Sequence, residues 1–91
     1  MNLKNLLLES KKIKFLDIIQ KMKEKYTEDD IGGFISEKSK GVPDKFFSAA
    51  KKVVSGIEKE MKLEIPKEDK DEFIQFLVDK LNSKGLIDYD A

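Results

Sequence analysis

Histidine, cysteine, tryptophan and arginine are all missing from this chain, and each absence closes a branch of chemistry. Without histidine there is no imidazole to serve as a general base near neutral pH. Without cysteine there is no thiolate nucleophile and no disulfide framework, and with histidine also gone there is no zinc site of the usual ligands. Without arginine no planar guanidinium can fork onto a phosphate or carboxylate. Glycine and proline are scarce, five and two among 91 residues, which argues against a loop-rich or disordered chain. No apolar run approaches the roughly 18 residues of a membrane-crossing helix. The opening Met1-Asn2-Leu3-Lys4-Asn5-Leu6-Leu7-Leu8-Glu9 has too short an apolar stretch for a secretory signal and lacks a small-residue cleavage site. Cytoplasm is the expected location.

What is present is charged and hydrophobic residues in equal share, 40% each. All 18 bases are lysine and they face 18 acids, so the formal net charge is zero. Lysine codons are A-rich and most arginine codons are G- and C-rich, so this bias points to a low-GC bacterium, a phage or a mobile element. The charge is unevenly spread. Residues 1–26 hold seven Lys against three acids, and residues 63–91 hold four Lys against eight acids. A basic front and an acidic back can pair within one chain or between two copies; solvation of exposed helix faces is the preferred reading.

Apolar spacing predicts four helices and no strand. In the first, Phe15, Ile18, Ile19, Met22 and Tyr26 recur at intervals of three and four with Leu8 ahead of them. Leu3, Leu6, Leu7 and Ile13 fall on a different side. The helix is therefore either broken near Ser10 or apolar on two sides. The second helix opens at Thr27, with Asp30 three residues on as in a capping box and Tyr26 and Ile31 at the staple positions. Ile31, Phe34 and Ile35 are expected inward. Gly41, then Val42 and Pro43, stop it. The third has the cleanest stripe, Phe46, Phe47, Ala50, Val53, Val54, Ile57 and Met61. Leu63-Glu64-Ile65-Pro66 reads as an extended connector. The fourth carries acids in its first turn and Lys80 and Lys84 in its last, matching the helix dipole. Its apolar residues Phe73, Ile74, Phe76, Leu77, Val78 and Leu81 cover more than half of its circumference, as in a helix central to a bundle or shared with a partner.

The expected fold is therefore all-α, a compact four-helix bundle-like single domain over residues 1–91. Helices are placed at about 3–25, 28–39, 44–62 and 68–84, with residues 1–10 forming a short helix of their own or continuing the first, and 88–91 frayed.

Candidate chemistry is sparse. None of the serines sits in a G-x-S-x-G elbow, and the one S-x-x-K spacing, Ser48 to Lys51, comes without the S-D-N and K-T-G elements that accompany it. The acidic clusters 28–30 and 68–72 both open helices, where capping accounts for them. Asp69, Asp71 and Glu72, or Asp88 and Asp90, offer oxygens to a metal, but neither cluster has the glycine of an EF-hand loop. Gly32-Gly33 lacks the spacing and the preceding strand of a phosphate loop, so close helix packing or a local kink is expected there. No catalytic residue, metal or cofactor is expected.

Two local resemblances remain. Residues 35–47, a short helix, a glycine turn at Gly41, an apolar Val42 and a second helix, resemble the turn of a helix-turn-helix. Glu37 stands where that pattern has a small residue. The resemblance implies contact with nucleic acid through Lys45, Ser48, Lys51 and Lys52, without the Arg, Asn or Gln that read purines and with no net positive charge to attract phosphates. Met1 to Ser10, ending Leu7-Leu8-Glu9-Ser10, is similar to the cleavable leaders of internal head proteins in large tailed phages, which end in Leu-x-Glu before a small residue. It covers ten residues of the chain.

By exclusion, the functional expectation is a non-enzymatic protein acting by contact with another protein or a second copy of itself, as small regulators, inhibitors and immunity-type factors do. The expected interface is Leu3, Leu6, Leu7 and Ile13, with the broad apolar fourth helix second. A lysine-rich nucleic-acid binder is the disfavoured alternative.

Overall fold

In a computed structural model, the structure describes residues 3–88, with side chains from Lys11 onward. Four α-helices run Leu3–Met22 (α1), Glu28–Ser39 (α2), Phe46–Met61 (α3) and Lys70–Ser83 (α4). Single 3-10 turns, Pro43–Lys45 and Lys67–Asp69, lead into α3 and α4. No strand occurs among the described residues.

Local chemistry sets the boundaries. α1 runs without a break at Ser10 and ends at Met22 rather than Lys25. The backbone then tightens, with Glu24 and Lys25 donating to carbonyls three residues back. At the start of α2 the Asp30 amide donates to Thr27 Oγ1 at 3.0 Å and the Thr27 amide donates to Asp30 Oδ2 at 3.2 Å, a complete capping box despite the shorter acid. Glycine does not act alone at the end of α2. Lys40 takes the first left-handed conformation (φ 56°) and Gly41 follows at φ 74°. The Gly41 amide reaches back to the Ser36 carbonyl, a Schellman closure. α4 closes in the same way, with Gly85 left-handed and the Leu86 amide on the Leu81 carbonyl. α3 ends on Lys62, left-handed at φ 56° without being glycine.

The apolar stripes meet in one core. α4 packs against all three other helices, and its Phe73, Ile74, Leu77 and Leu81 are fully buried. Its broad apolar surface is therefore spent inside the bundle, with Phe76 only partly buried. Phe15 of α1 meets Phe73 edge-on at 5.5 Å and Phe76 at 5.6 Å, and Ile18, Ile19 and Met22 complete that side. α3 adds Phe46, Ala50, Val53, Val54 and Ile57, together with Ala49. α2 contributes only Ile31 and Ile35. Phe34, expected inward, is 37% exposed, because it sits on the flank of the face that those two define.

Glycine permits one close approach. A Cβ built on Gly32 would lie 2.3 Å from the backbone oxygen of Leu86, so α2 and the segment after α4 touch backbone to backbone. Ser36 fastens the same junction. Its hydroxyl donates to the Gly32 carbonyl at 2.8 Å and accepts the Asp88 amide at 2.8 Å.

The basic front and acidic back of the chain do pair, within one molecule. Lys11 contacts Glu72 at 3.1 Å and Lys14 contacts Asp69 at 3.1 Å. At the other end Glu28 takes Lys23 and Lys84, both at 2.8 Å. Ion pairs thus tie α1 to the start of α4, and Glu28 links Lys23, just past α1, to Lys84, just past α4.

Candidate interaction surfaces

Two surfaces stand out, and the first is the outward face of α1. Ile13 is 69% exposed and Leu16, three residues on, is 43% exposed. Both lie on the side of the helix away from Phe15, Ile18 and Met22. The other expected members of this patch, Leu3, Leu6 and Leu7, have side chains outside the described residues. The sequence reading missed Leu16, although its spacing from Ile13 marks the same face. Beside this face, a hollow of about 310 Å³ between α1 and α4 is lined by Lys11, Lys12, Phe15, Glu72, Gln75, Phe76 and Asp79.

The second surface is a groove along α2 and α3. At one end Lys38, Lys45, Ser48, Ala49 and Lys52 surround an open hollow of about 540 Å³. Lys38 and Lys52 carry it into a hollow of about 230 Å³, whose other walls are Tyr26, Phe34, Val53, Gly56, Ile57 and Glu60. Phe34 and Lys38 also border a third, with Glu37 and Lys40. Of the four residues picked for nucleic-acid contact, the structure gathers Lys45, Ser48 and Lys52 and leaves out Lys51. That lysine lies 3.5 Å from Asp71 of α4. Lys38 is the member that sequence reasoning missed, because it comes from the preceding helix. Lys38, Lys45 and Lys52 make no ion pair among the described residues.

The aromatic part of the groove is built across elements. Tyr26 meets Phe34 edge-on at 5.5 Å, and its hydroxyl donates to Glu60 Oε2 at 2.6 Å. Lys25 pairs with the other oxygen of Glu60. These contacts hold the Glu60 carboxyl below its ordinary pKa, Lys25 first and Tyr26 second, and raise the Tyr26 phenol. Gly56 lies within unbroken α3 and lines the groove, with nothing within 4 Å of where its Cβ would be. An interior helical glycine is about 1 kcal/mol worse than alanine, so bare backbone is kept here without a packing reason.

Elsewhere polar groups serve the fold. Glu28 is 9% exposed, and its two ammonium partners, Lys23 ahead of Lys84, hold its carboxyl down at a pKa of about 2. Asp69, Asp71 and Glu72 of the 68–72 cluster pair with lysines of α1 and α3, and no group of three or more potential metal ligands gathers among the described residues. Lys70 brings α4 to Ser55, donating to its hydroxyl at 2.9 Å, a contact across 15 residues with no motif to announce it. The same ammonium lies 2.9 Å from Glu58 Oε1. The helix-turn-helix resemblance is met only in part. Glu37, where the pattern has a small residue, is exposed, so no close helix contact forms there. No helix among the described residues is long and apolar enough to cross a membrane. Comparison with protein-family models, with curated proteins and with solved structures finds no match for this chain.

Proposed function

We propose that this is a small non-enzymatic helical protein that acts by contact with another protein or with a second copy of itself, in the manner of a regulator, inhibitor or immunity-type factor. The observation that carries the reading is the pair Ile13 and Leu16, exposed together on the outer face of a helix whose inner face is already committed to the core. An apolar pair left exposed on the outer face of a helix supports a partner surface there. Leu3, Leu6 and Leu7 precede the pair on the same unbroken helix and extend the proposed contact.

The nucleic-acid alternative has Lys45, Ser48 and Lys52 in its favour. Against it stand the diversion of Lys51 to Asp71 and the carboxylates of Glu37 and Glu60 on the same groove.

The test pairs sedimentation equilibrium with affinity capture from the native host, comparing wild type with the double variant Ile13→Ser, Leu16→Ser and with Leu3→Ser, Leu7→Ser. The expected result is an association, to itself or to one partner, that the substitutions abolish while the melting temperature holds. A wild-type monomer whose captured proteins are the same as those of both variants would refute the proposal.

A further inference from the structure

We propose that the groove between α2 and α3 is a docking site for an acidic segment of a partner protein. The segment's carboxylates would lie on Lys38, Lys45 and Lys52, and an apolar side chain would rest against Phe34. The inference rests on the reading of the chain as a protein-contact module, but it uses a surface separate from the α1 face.

Three observations converge on the groove. Lys38 of α2, Lys45 of the 3-10 turn before α3 and Lys52 of α3 come to one hollow and make no ion pair among the described residues, whereas Lys11, Lys14, Lys23 and Lys70 each have one. Like charges so gathered repel each other and favour an anionic visitor. Next to them Phe34 keeps 37% of its surface exposed, with Val53 and Ile57 deeper in the same hollow. Gly56 then leaves α3 bare at the groove, so a main chain can lie closer to the helix there than any side chain would permit.

Charge arrangement selects among occupants. A nucleic-acid strand carries a negative charge at every nucleotide, and it would meet Glu60 along the aromatic stretch and Glu37 on its flank. A peptide segment can concentrate its carboxylates at one end and carry an apolar side chain at the other. That is the distribution the groove complements, lysine at one end and aromatic at the other.

The test is selection of a random-peptide display library on the immobilised full chain, followed by fluorescence polarisation of the enriched peptide. Oligothymidylate of matched charge serves as the competing probe. Enriched sequences are expected to carry several carboxylates beside an apolar residue. Their affinity is expected to fall at least about tenfold for Lys38→Ala combined with Lys52→Ala, and likewise for Gly56→Leu. Gly56→Leu fills the groove without touching the core, so its melting temperature should hold or rise, separating lost binding from lost folding. Ile13→Ser with Leu16→Ser should leave peptide binding intact, which separates failure at the groove from failure of the α1 contact. The proposal is overturned by an unenriched pool, by enriched peptides without carboxylates, by binding that survives both groove variants, or by oligothymidylate displacing the peptide and binding more tightly.

Discussion

Gly32 and Gly33 are neighbours in sequence and in the same helix, yet alanine should act on them in opposite directions. A methyl at Gly32 would sit 2.3 Å from the Leu86 oxygen and 3.0 Å from its carbonyl carbon and Cβ. The obstruction is backbone, and that backbone is tied on both sides. The Leu86 amide bonds the Leu81 carbonyl at 2.9 Å, and the Asp88 amide bonds Ser36, itself bonded to the Gly32 carbonyl. Retreat of the segment therefore loosens hydrogen bonds as well as the packing of Ile87, which is 3% exposed. Overpacking of this kind costs about 1–3 kcal/mol. Helix propensity returns about 1 kcal/mol of that. The expected net effect is a loss of about 0–2 kcal/mol for Gly32→Ala. At Gly33 nothing lies within 4 Å of the new methyl, so propensity acts alone and Gly33→Ala should gain about 0.5–1 kcal/mol. Urea unfolding followed by far-ultraviolet circular dichroism measures both, and for a chain of this size each kcal/mol corresponds to about 4–8 °C in melting temperature. If Gly32→Ala matches or exceeds Gly33→Ala in stability, the close approach of α2 to the C-terminal segment is wrong.

Two further outcomes follow from charge and backbone geometry. Glu28, held at a pKa of about 2 by Lys23 and Lys84, contributes stability above its ordinary carboxylate range, and this is lost as pH falls toward and through 2. The contribution near neutral pH is on the order of 1–3 kcal/mol, reduced from the full linkage value because both lysines are partly exposed. Glu28→Gln should therefore be less stable than wild type at pH 7, and the gap should narrow between pH 5 and pH 2 in denaturant titrations; a gap that stays constant with pH would show that the carboxylate charge is not what matters. Lys62 ends α3 in the left-handed region, where a Cβ is strained, so Lys62→Gly should raise stability by about 0.5–1 kcal/mol in thermal unfolding, and a loss would contradict the αL cap.

Much of the local architecture was legible from short-range pattern. Thr27 and Asp30 announce the start of α2, Gly85 and Leu86 the end of α4, and the α3 stripe names most of its buried residues, because capping and amphipathicity are settled within one or two turns of chain. The candidate surfaces were legible only in part. Ile13 was marked by falling off the main stripe. Lys51 and Lys52 look equivalent in sequence, yet one turns toward Asp71 and the other toward Lys38, and that choice depends on where α4 and α2 lie. Phe34 was placed inward because a three- and four-residue rhythm does not say how wide the buried arc of a short helix is.

Composition by itself determined that imidazole, thiolate and guanidinium chemistry are closed to this chain, and periodicity by itself determined that it folds as helices. Tertiary structure alone decided which lysines gather without counter-charge, which glycine is crowded and which lies open, and that Glu28 joins Lys84 across 56 residues. The physical reason is range. Backbone hydrogen bonding and helix phase are written in neighbours three and four residues apart, whereas a charge or a bare backbone acquires its meaning from whatever the packed core brings beside it.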